Sequence, residues 1–338
     1  MDLAAFDYDL PPERIAQRPV EPRDAARLLV DDGPGCPPRH LTVADLPTLV
    51  RPGDLIVVND TRVLRARLLL QKSTGAQVEV LLLEPTAGGW EALVKPSRKV
   101  APGTTLRPRS DGAGTAFEVE VGADLGEGRR HVRLRTAHEE MAALDRHGEI
   151  PLPPYIHEQL DDPERYQTVY ADRPASVAAP TAGLHLTPAV LEACEAAGAV
   201  VARIELVVGL GTFRPITVER VEDHVMHAEQ FRVPPETMAA CETAARVVAV
   251  GTTTVRALES AAALGMLVGR TELFIRGDHP WRVVDVLLTN FHVPRSSLLV
   301  MIDAFVGPRW RDLYDVALAE QYRFLSFGDA MLLQRGPS

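Results

Sequence analysis

The chain has 338 residues, 46% of them hydrophobic and 24% charged, with a formal net charge of −10. That composition fits a globular protein with room for one large domain and a smaller one, and excludes a disordered or fibrous chain. No apolar run approaches the ~20 residues of a membrane-spanning helix, and the acidic balance argues against a generic nucleic-acid coat protein.

The start, Met1-Asp2-Leu3-Ala4, lacks a basic stretch followed by an apolar core, so no export signal is expected there. Cys36, Cys194 and Cys241 lie far apart and share no metal-ligand spacing. An odd thiol count without an export signal points to a reducing, cytoplasmic setting. Charge is unevenly spread. Nine basic residues between Arg62 and Arg109 face three acidic ones, so that segment is +6 and the remainder −16. A local basic patch suits contact with a phosphate backbone, or is a solvated strand surface.

Asp31–Pro38, rich in Gly and Pro, reads as a surface loop. Short alternating or apolar runs follow at Leu55–Val58, Arg67–Leu70, Gln77–Leu83, Trp90–Val94, Phe117–Val121 and His131–Arg135, divided by turn signals such as Ser73-Thr74-Gly75 and Pro102-Gly103. Strands at this spacing predict a small barrel or sandwich. The first of them, Leu55–Val58, could equally belong to a larger sheet.

From about residue 185 helices and strands alternate. Thr187-Pro188 predicts a helix start closed by Gly198, and a strand at Ala199–Val208 follows. Next come helix Pro235–Ala245, strand Val247–Val250, helix Thr252–Leu264, strand Val283–Leu288 and helix Ser296–Phe305. A last helix near Asp312–Tyr322 precedes Phe324–Leu333. The alternation predicts an α/β domain with a buried sheet, into which the β-rich part is inserted. The expected division is 1–62 with 151–338 for the large domain and 63–150 for the small one.

Ligands of open α/β sheets sit beyond the carboxyl ends of strands, and several polar segments fall there. Gly251-Thr252-Thr253-Thr254-Val255-Arg256 runs from a strand into a helix. Its free N–H groups and three hydroxyls suit a carboxylate or phosphate, and exceed what capping requires. Gly209-Leu210-Gly211-Thr212-Phe213-Arg214 is a ligand-approaching loop or a plain turn. Asn290-Phe291-His292 offers groups to read a ligand edge or donate a proton, unless His292 is structural. Thr181-Ala182-Gly183-Leu184-His185 places a hydroxyl, a glycine and an imidazole before a helix. Asn59-Asp60-Thr61-Arg62 forms either a polar strand-end site or an Asx turn. His224, His227 and Glu229 suggest a metal, but the alternation through Gln230–Pro234 reads as a strand and no further ligand spacing supports a closed site. Proton transfer or base recognition fits them better, and no metal is expected.

Ten collinear blocks carry a resemblance, among them GDLIVVNDTRVLRARL (53–68), GEIPLPPYI (148–156), APTAGLH (179–185), HVMHAEQFRVP (224–234), VAVGTTTVRALES (248–260), LLTNFHVPRSSLL (287–299) and YRFLSFGDAMLL (322–333). The chain resembles the S-adenosylmethionine:tRNA ribosyltransferase-isomerase family of queuosine biosynthesis from end to end. The resemblance implies a large mixed α/β domain with an inserted small Greek-key β-barrel, acting as a monomer. It also implies the reaction. The ribosyl part of S-adenosylmethionine, a consumed cosubstrate and not a cofactor, moves to 7-aminomethyl-7-deazaguanine at the tRNA wobble position and rearranges, giving epoxyqueuosine-tRNA, adenine and methionine.

On this resemblance Gly251–Thr254 and Arg256 take the methionine carboxylate, and His185 and His227 manage protons. Asp60, Asn290 and His292 contact the acceptor base; Asn59, Arg62, Thr181, Gly183, Gly211, Thr212, Arg214, His224 and Glu229 complete the expected site. Departures from the family pattern include Ala26, Ala175, Leu186, Val286 and Asp303. They leave a free 7-deazapurine as the alternative acceptor, while a tRNA-binding module without catalysis would leave the hydroxyl-rich strand ends unexplained.

Overall fold

The computed structural model describes residues 1–108, 117–209 and 216–336. The chain forms two compact units. The larger comprises Met1–Arg62, Pro153–Arg173 and Ala179–Ser338; the smaller comprises Val63–Leu152 with Pro174–Ala178. The short return of Pro174–Ala178 to the smaller unit has no sequence signature. It follows from pairing, since the Leu64 N–H donates to the Ser176 carbonyl at 2.8 Å.

The larger unit is built on a nine-stranded mixed sheet. Its spatial order is Val268–Thr271, Glu229–Arg232, Val200–Leu206, Asp54–Asn59, Arg246–Val250, Val286–Asn290, Ala330–Gln334, Arg27–Asp31 and Arg39–Thr42. The four strands from Val200–Leu206 to Val286–Asn290 are mutually parallel, in registers that set Ile204 beside Asn59 and Val250 beside Leu288. Asp54–Asn59 is buried at all six positions, as a central parallel strand covered on both faces must be. So the run Leu55–Val58 belongs to this sheet and not to the barrel.

Ile56, Val58, Val248, Val250 and Leu288 share one core cluster with Val190 and Cys194 of the Pro188–Ala196 helix and with Val43 and Leu46. That helix starts as its sequence predicts, with the Thr187 side chain accepting the Val190 N–H at 3.2 Å. The 13-residue helix Thr252–Leu264 packs on five strands of the sheet, chiefly Val200–Leu206, Arg246–Val250 and Asp54–Asn59. One strand lies further along than its apolar run suggests: Val286–Asn290 rather than Val283–Leu288. The carboxylate of Glu259, wholly buried on that helix, accepts the N–H groups of Arg282, Val283 and Val284 at 3.0 Å each. Those groups are thereby withdrawn from the ladder.

The smaller unit contains a closed antiparallel barrel ordered Arg129–Arg135, Gly89–Lys95, Gln77–Thr86, Arg67–Gln71, Thr105–Pro108 and Glu118–Gly126. Arg67–Gln71, Gln77–Thr86 and Gly89–Lys95 form a meander, and the next strand, Thr105–Pro108, pairs back on Arg67–Gln71. This is the Greek-key connection. Alternation along Arg67–Gln71 and Gly89–Lys95 points Leu68, Leu70, Ala92 and Val94 inward.

Part of the basic segment is neutralised across strands. Arg67 pairs with Glu79 at 2.8 Å, Arg107 with Glu118 at 2.6 Å and, nearby, Arg129 with Glu91 at 3.1 Å. Among the described residues Arg65, Lys72, Lys95, Arg98 and Lys99 have no carboxylate partner; Arg109 lies outside them. The barrel therefore keeps a positive surface made by these unpaired cations.

Candidate active site

The carboxyl ends of the parallel strands gather in the larger unit around two confluent recesses, which share Thr252, Thr253 and Leu298. One, of about 610 Å³, is lined by Thr181, Ala182, Gly251, Thr289, Asn290 and His292, together with Tyr155, Val208, Leu325 and Ser326. The other, of about 560 Å³, is lined by His224, His227, Glu229 and Arg256 and by the apolar Met226, Leu273, Phe274, Ile275 and Met301.

The helix start at their junction is shaped by Gly251, whose φ of 90° and ψ of 151° suit glycine alone. The three threonines do different things. Thr254 returns its hydroxyl to the Val250 carbonyl at 2.7 Å, and Thr253 receives the Asn59 amide at 3.2 Å. Thr252 lines both recesses. Among the described residues the Thr252 and Thr253 N–H groups have no acceptor, leaving two donors at the positive end of a helix.

Opposite them lies a relay of side chains. The Thr181 hydroxyl donates to Asn290 Oδ1 at 3.0 Å; Asn290 Nδ2 donates to His185 Nε2 at 3.0 Å and to the Leu325 carbonyl at 3.1 Å. His185 stands behind Asn290 and does not line the recess. Its Nε2 accepts, so the ring is neutral with its proton on Nδ1. Burial first, then the positive charges of Arg323, Arg165 and Arg23, push its pKa down to about 3. His185 thus supports Asn290 from behind and lines neither recess. His292 does line the recess, with Nε2 3.0 Å from the Thr289 hydroxyl, and burial pushes its pKa down to about 3 as well. Its backbone is gripped at both ends: its N–H donates to Tyr314 Oη at 3.0 Å, and its carbonyl accepts from Tyr8 Oη.

Arg256 is not free to take a ligand carboxylate. Its guanidinium, 7% exposed, forms an ion pair with Glu229 and donates to the carbonyls of Leu273 at 3.1 Å and of His227 and Thr271 at 3.0 Å. Glu229, equally buried, also accepts the Gly209 N–H at 3.0 Å. The pair braces the wall that carries His227, so both residues shape the recess. His224 packs edge-on against Phe274, and burial followed by the nearby His227 lowers its pKa. Among the described residues no three His, Cys, Asp or Glu side chains converge as a metal site.

The Asn59–Arg62 segment is an Asx turn. Asn59 Oδ1 accepts the N–H groups of Thr61 and Leu206, and its Nδ2 donates to the Leu206 carbonyl and to Thr253, using all four of its bonds. Asp60 lines neither recess. It faces Glu205, Arg203 and Asp172, and burial and then Glu205 raise its pKa. Arg62 pairs with Glu164 at 2.7 Å. Gly183 contributes by packing: a β carbon there would stand 1.9 Å from Tyr170 Oη. Gly211, Thr212 and Arg214 lie outside the described residues. Tyr155 and Ser326, hydrogen-bonded to each other at 2.7 Å, are cleft residues that residue-by-residue reading missed. Both sit inside matched blocks, whereas Phe274 and Met301 carried no signal.

A parallel-strand sheet with a polar cleft at its carboxyl ends, accompanied by a Greek-key barrel, defines a mixed α/β protein built to seat a small ligand. Residues 3–333 match the family described as queuosine biosynthesis protein, and the chain belongs to that family. Among its relatives, one from Rubrobacter xylanophilus is 51% identical over 98% of this chain and 97% of its own. One from Thermus thermophilus is 49% identical over 98% of this chain and 99% of its own. Both are named S-adenosylmethionine:tRNA ribosyltransferase-isomerase, so the family is one of transferase-isomerases. The crystal structure of S-adenosylmethionine tRNA ribosyltransferase from Thermotoga maritima superposes with a TM-score of 0.55 at 34% identity, covering 97% of this chain and 99% of that one.

Proposed function

We propose that this chain transfers and isomerises the ribosyl moiety of S-adenosylmethionine onto 7-aminomethyl-7-deazaguanine at the wobble position of tRNA. The products are epoxyqueuosine-tRNA, adenine and methionine. The observation that carries this reading is the pair of joined recesses at the parallel-strand ends, one polar and one apolar with two imidazoles, meeting at an unpartnered helix start. It is supported by near-full-length relatives that bear the name of the reaction.

The chemistry sets the roles. The sulfonium acidifies the neighbouring 5′ carbon, so a base, in this case the acceptor's own amine, can generate an ylide. The Thr252 and Thr253 N–H groups receive the methionine carboxylate. Thr289 and His292 face the reacting nucleosides, and His227 with His224 lies on the wall suited to protonating departing adenine. Thr181 belongs to the polar wall; His185, Glu229 and Arg256 hold that architecture in place.

The test is to incubate the protein with S-adenosylmethionine and tRNA carrying the aminomethyl base, then quantify adenine and methionine. Release of both, with label from the ribose entering the tRNA, is expected. Release with free deazapurine but none with tRNA would replace the acceptor, and absence of adenine under both conditions would end the proposal. His227→Ala is expected to lower turnover by ~10²-fold or more.

A further inference from the structure

The polarity of the hydrogen-bond relay behind the polar recess is fixed at one end, and this determines what its exposed end can bind. The Leu325 carbonyl can only accept, so the group of Asn290 lying 3.1 Å from it is the amide nitrogen. The second hydrogen of that nitrogen goes to His185 Nε2, which exhausts its donors. The amide oxygen, 3.0 Å from Thr181 Oγ1, cannot donate, so Thr181 must give its only hydroxyl hydrogen to it. What remains toward the cleft is an acceptor: the Thr181 lone pairs, with the second lone pair of Asn290 Oδ1 behind them.

Acceptor and donors stand close together. Thr181 precedes Ala182, whose β carbon lies 3.5 Å from where a β carbon on Gly251 would be, and Gly251 opens the helix with the two unpartnered N–H groups. Two donors beside a hydroxyl that can only accept match a ligand with an anion and an N–H donor carried on one carbon. An α-amino acid has that pattern.

We propose that the Thr181 hydroxyl accepts a hydrogen bond from the α-ammonium of the cosubstrate's amino-acid tail, making it the residue that requires a zwitterion there. This rests on the reading that S-adenosylmethionine occupies the cleft. Asn290 and His185 act through Thr181 as positioning residues, holding its hydrogen away from the ligand.

The experiment is calorimetric binding of two unreactive thioethers, S-adenosylhomocysteine and its analogue with hydrogen in place of the α-amino group. Wild type should bind the desamino compound ~10- to 100-fold more weakly, the range for a hydrogen bond to a charged group. Thr181→Val should bind S-adenosylhomocysteine weaker by a similar factor while binding the desamino compound as wild type does. Thr181→Ser, which keeps the hydroxyl, should restore discrimination between the two. The comparison in wild type needs no variant, so it stands even if Thr181→Val folds poorly. Equal binding of both thioethers by wild type overturns the proposal, as does Thr181→Val weakening both alike. A change confined to the KM of the amine acceptor would also overturn it, by assigning Thr181 to the other substrate. If wild type binds neither thioether, the cosubstrate reading itself falls, a result distinct from any of these.

Discussion

Neutralising Glu229 should expose how much the wall of the apolar recess depends on one ion pair. In Glu229→Gln the shape is kept and the amide can still contact Gly209, but the Arg256 guanidinium, 7% exposed, loses its main counter-charge and keeps only the weaker attraction of Glu272. It cannot shed its proton to escape, because arginine stays charged in proteins. Its three carbonyl contacts, to Leu273, His227 and Thr271, soften the penalty without cancelling the charge. Leaving one member of a buried pair uncompensated costs ~3–5 kcal/mol, and the carbonyl contacts place this case near the lower end. Since ~1 kcal/mol shifts the midpoint of a domain this size by ~2–4 °C, thermal unfolding should move down by roughly 6–12 °C. The diagnostic comparison is the double variant Glu229→Gln/Arg256→Met, which removes both charges and should recover about half or more of the loss. A midpoint within ~2 °C of wild type for Glu229→Gln, or a double variant as unstable as the two singles summed, would refute the argument.

Gly183→Ala should cost ~1–3 kcal/mol from overpacking on Tyr170 Oη, read as a lower urea midpoint. Tyr170→Phe should restore part of it, because that hydroxyl has no described hydrogen-bond partner. Gly251→Ala forces a β carbon onto a φ of 90°. It should cost ~1–3 kcal/mol and raise the KM for S-adenosylmethionine more than it lowers kcat. His185 has a folded pKa of about 3, below the ~6.5 of an unfolded imidazole, so the unfolded chain takes the proton first as pH falls. Its contribution to stability is therefore complete above about pH 6.5 and drains away toward pH 3, at up to ~1.4 kcal/mol per pH unit. His185→Gln, which can still accept from Asn290, should flatten that slope between pH 6.5 and 4.5 in urea titrations; an unchanged slope would refute it.

Periodicity made the central strands and the helix over 252–264 readable, because two-sided burial leaves a continuous apolar run and glycine marks the junction. The strands Arg27–Asp31, Arg39–Thr42 and Val268–Thr271 were not readable. The first two are short with a long turn between them, and the third lies on the sheet edge with Val268 exposed. At the site, residue type announced polar strand ends but not their direction. Asn59 and Thr254 looked like ligand groups and are spent on backbone, while Arg256, whose spacing from the threonines suggested a carboxylate clamp, faces Glu229 instead. Only tertiary pairing distinguishes Asn290, which lines the cleft, from His185 behind it. The aromatic and sulfur side chains of the second recess, Phe274 and Met301, are ordinary apolar letters until the fold brings them to Thr252.

Glu259 ties two parts of this machinery together. Two turns along from the threonines, its carboxylate holds the main chain just before the strand that ends at Asn290 and leads into His292. The same helix therefore bears the donor pair at its tip and clamps the root of the strand that delivers the opposing wall. One element thus sets the position of both sides, so the spacing across the cleft is fixed from a single helix.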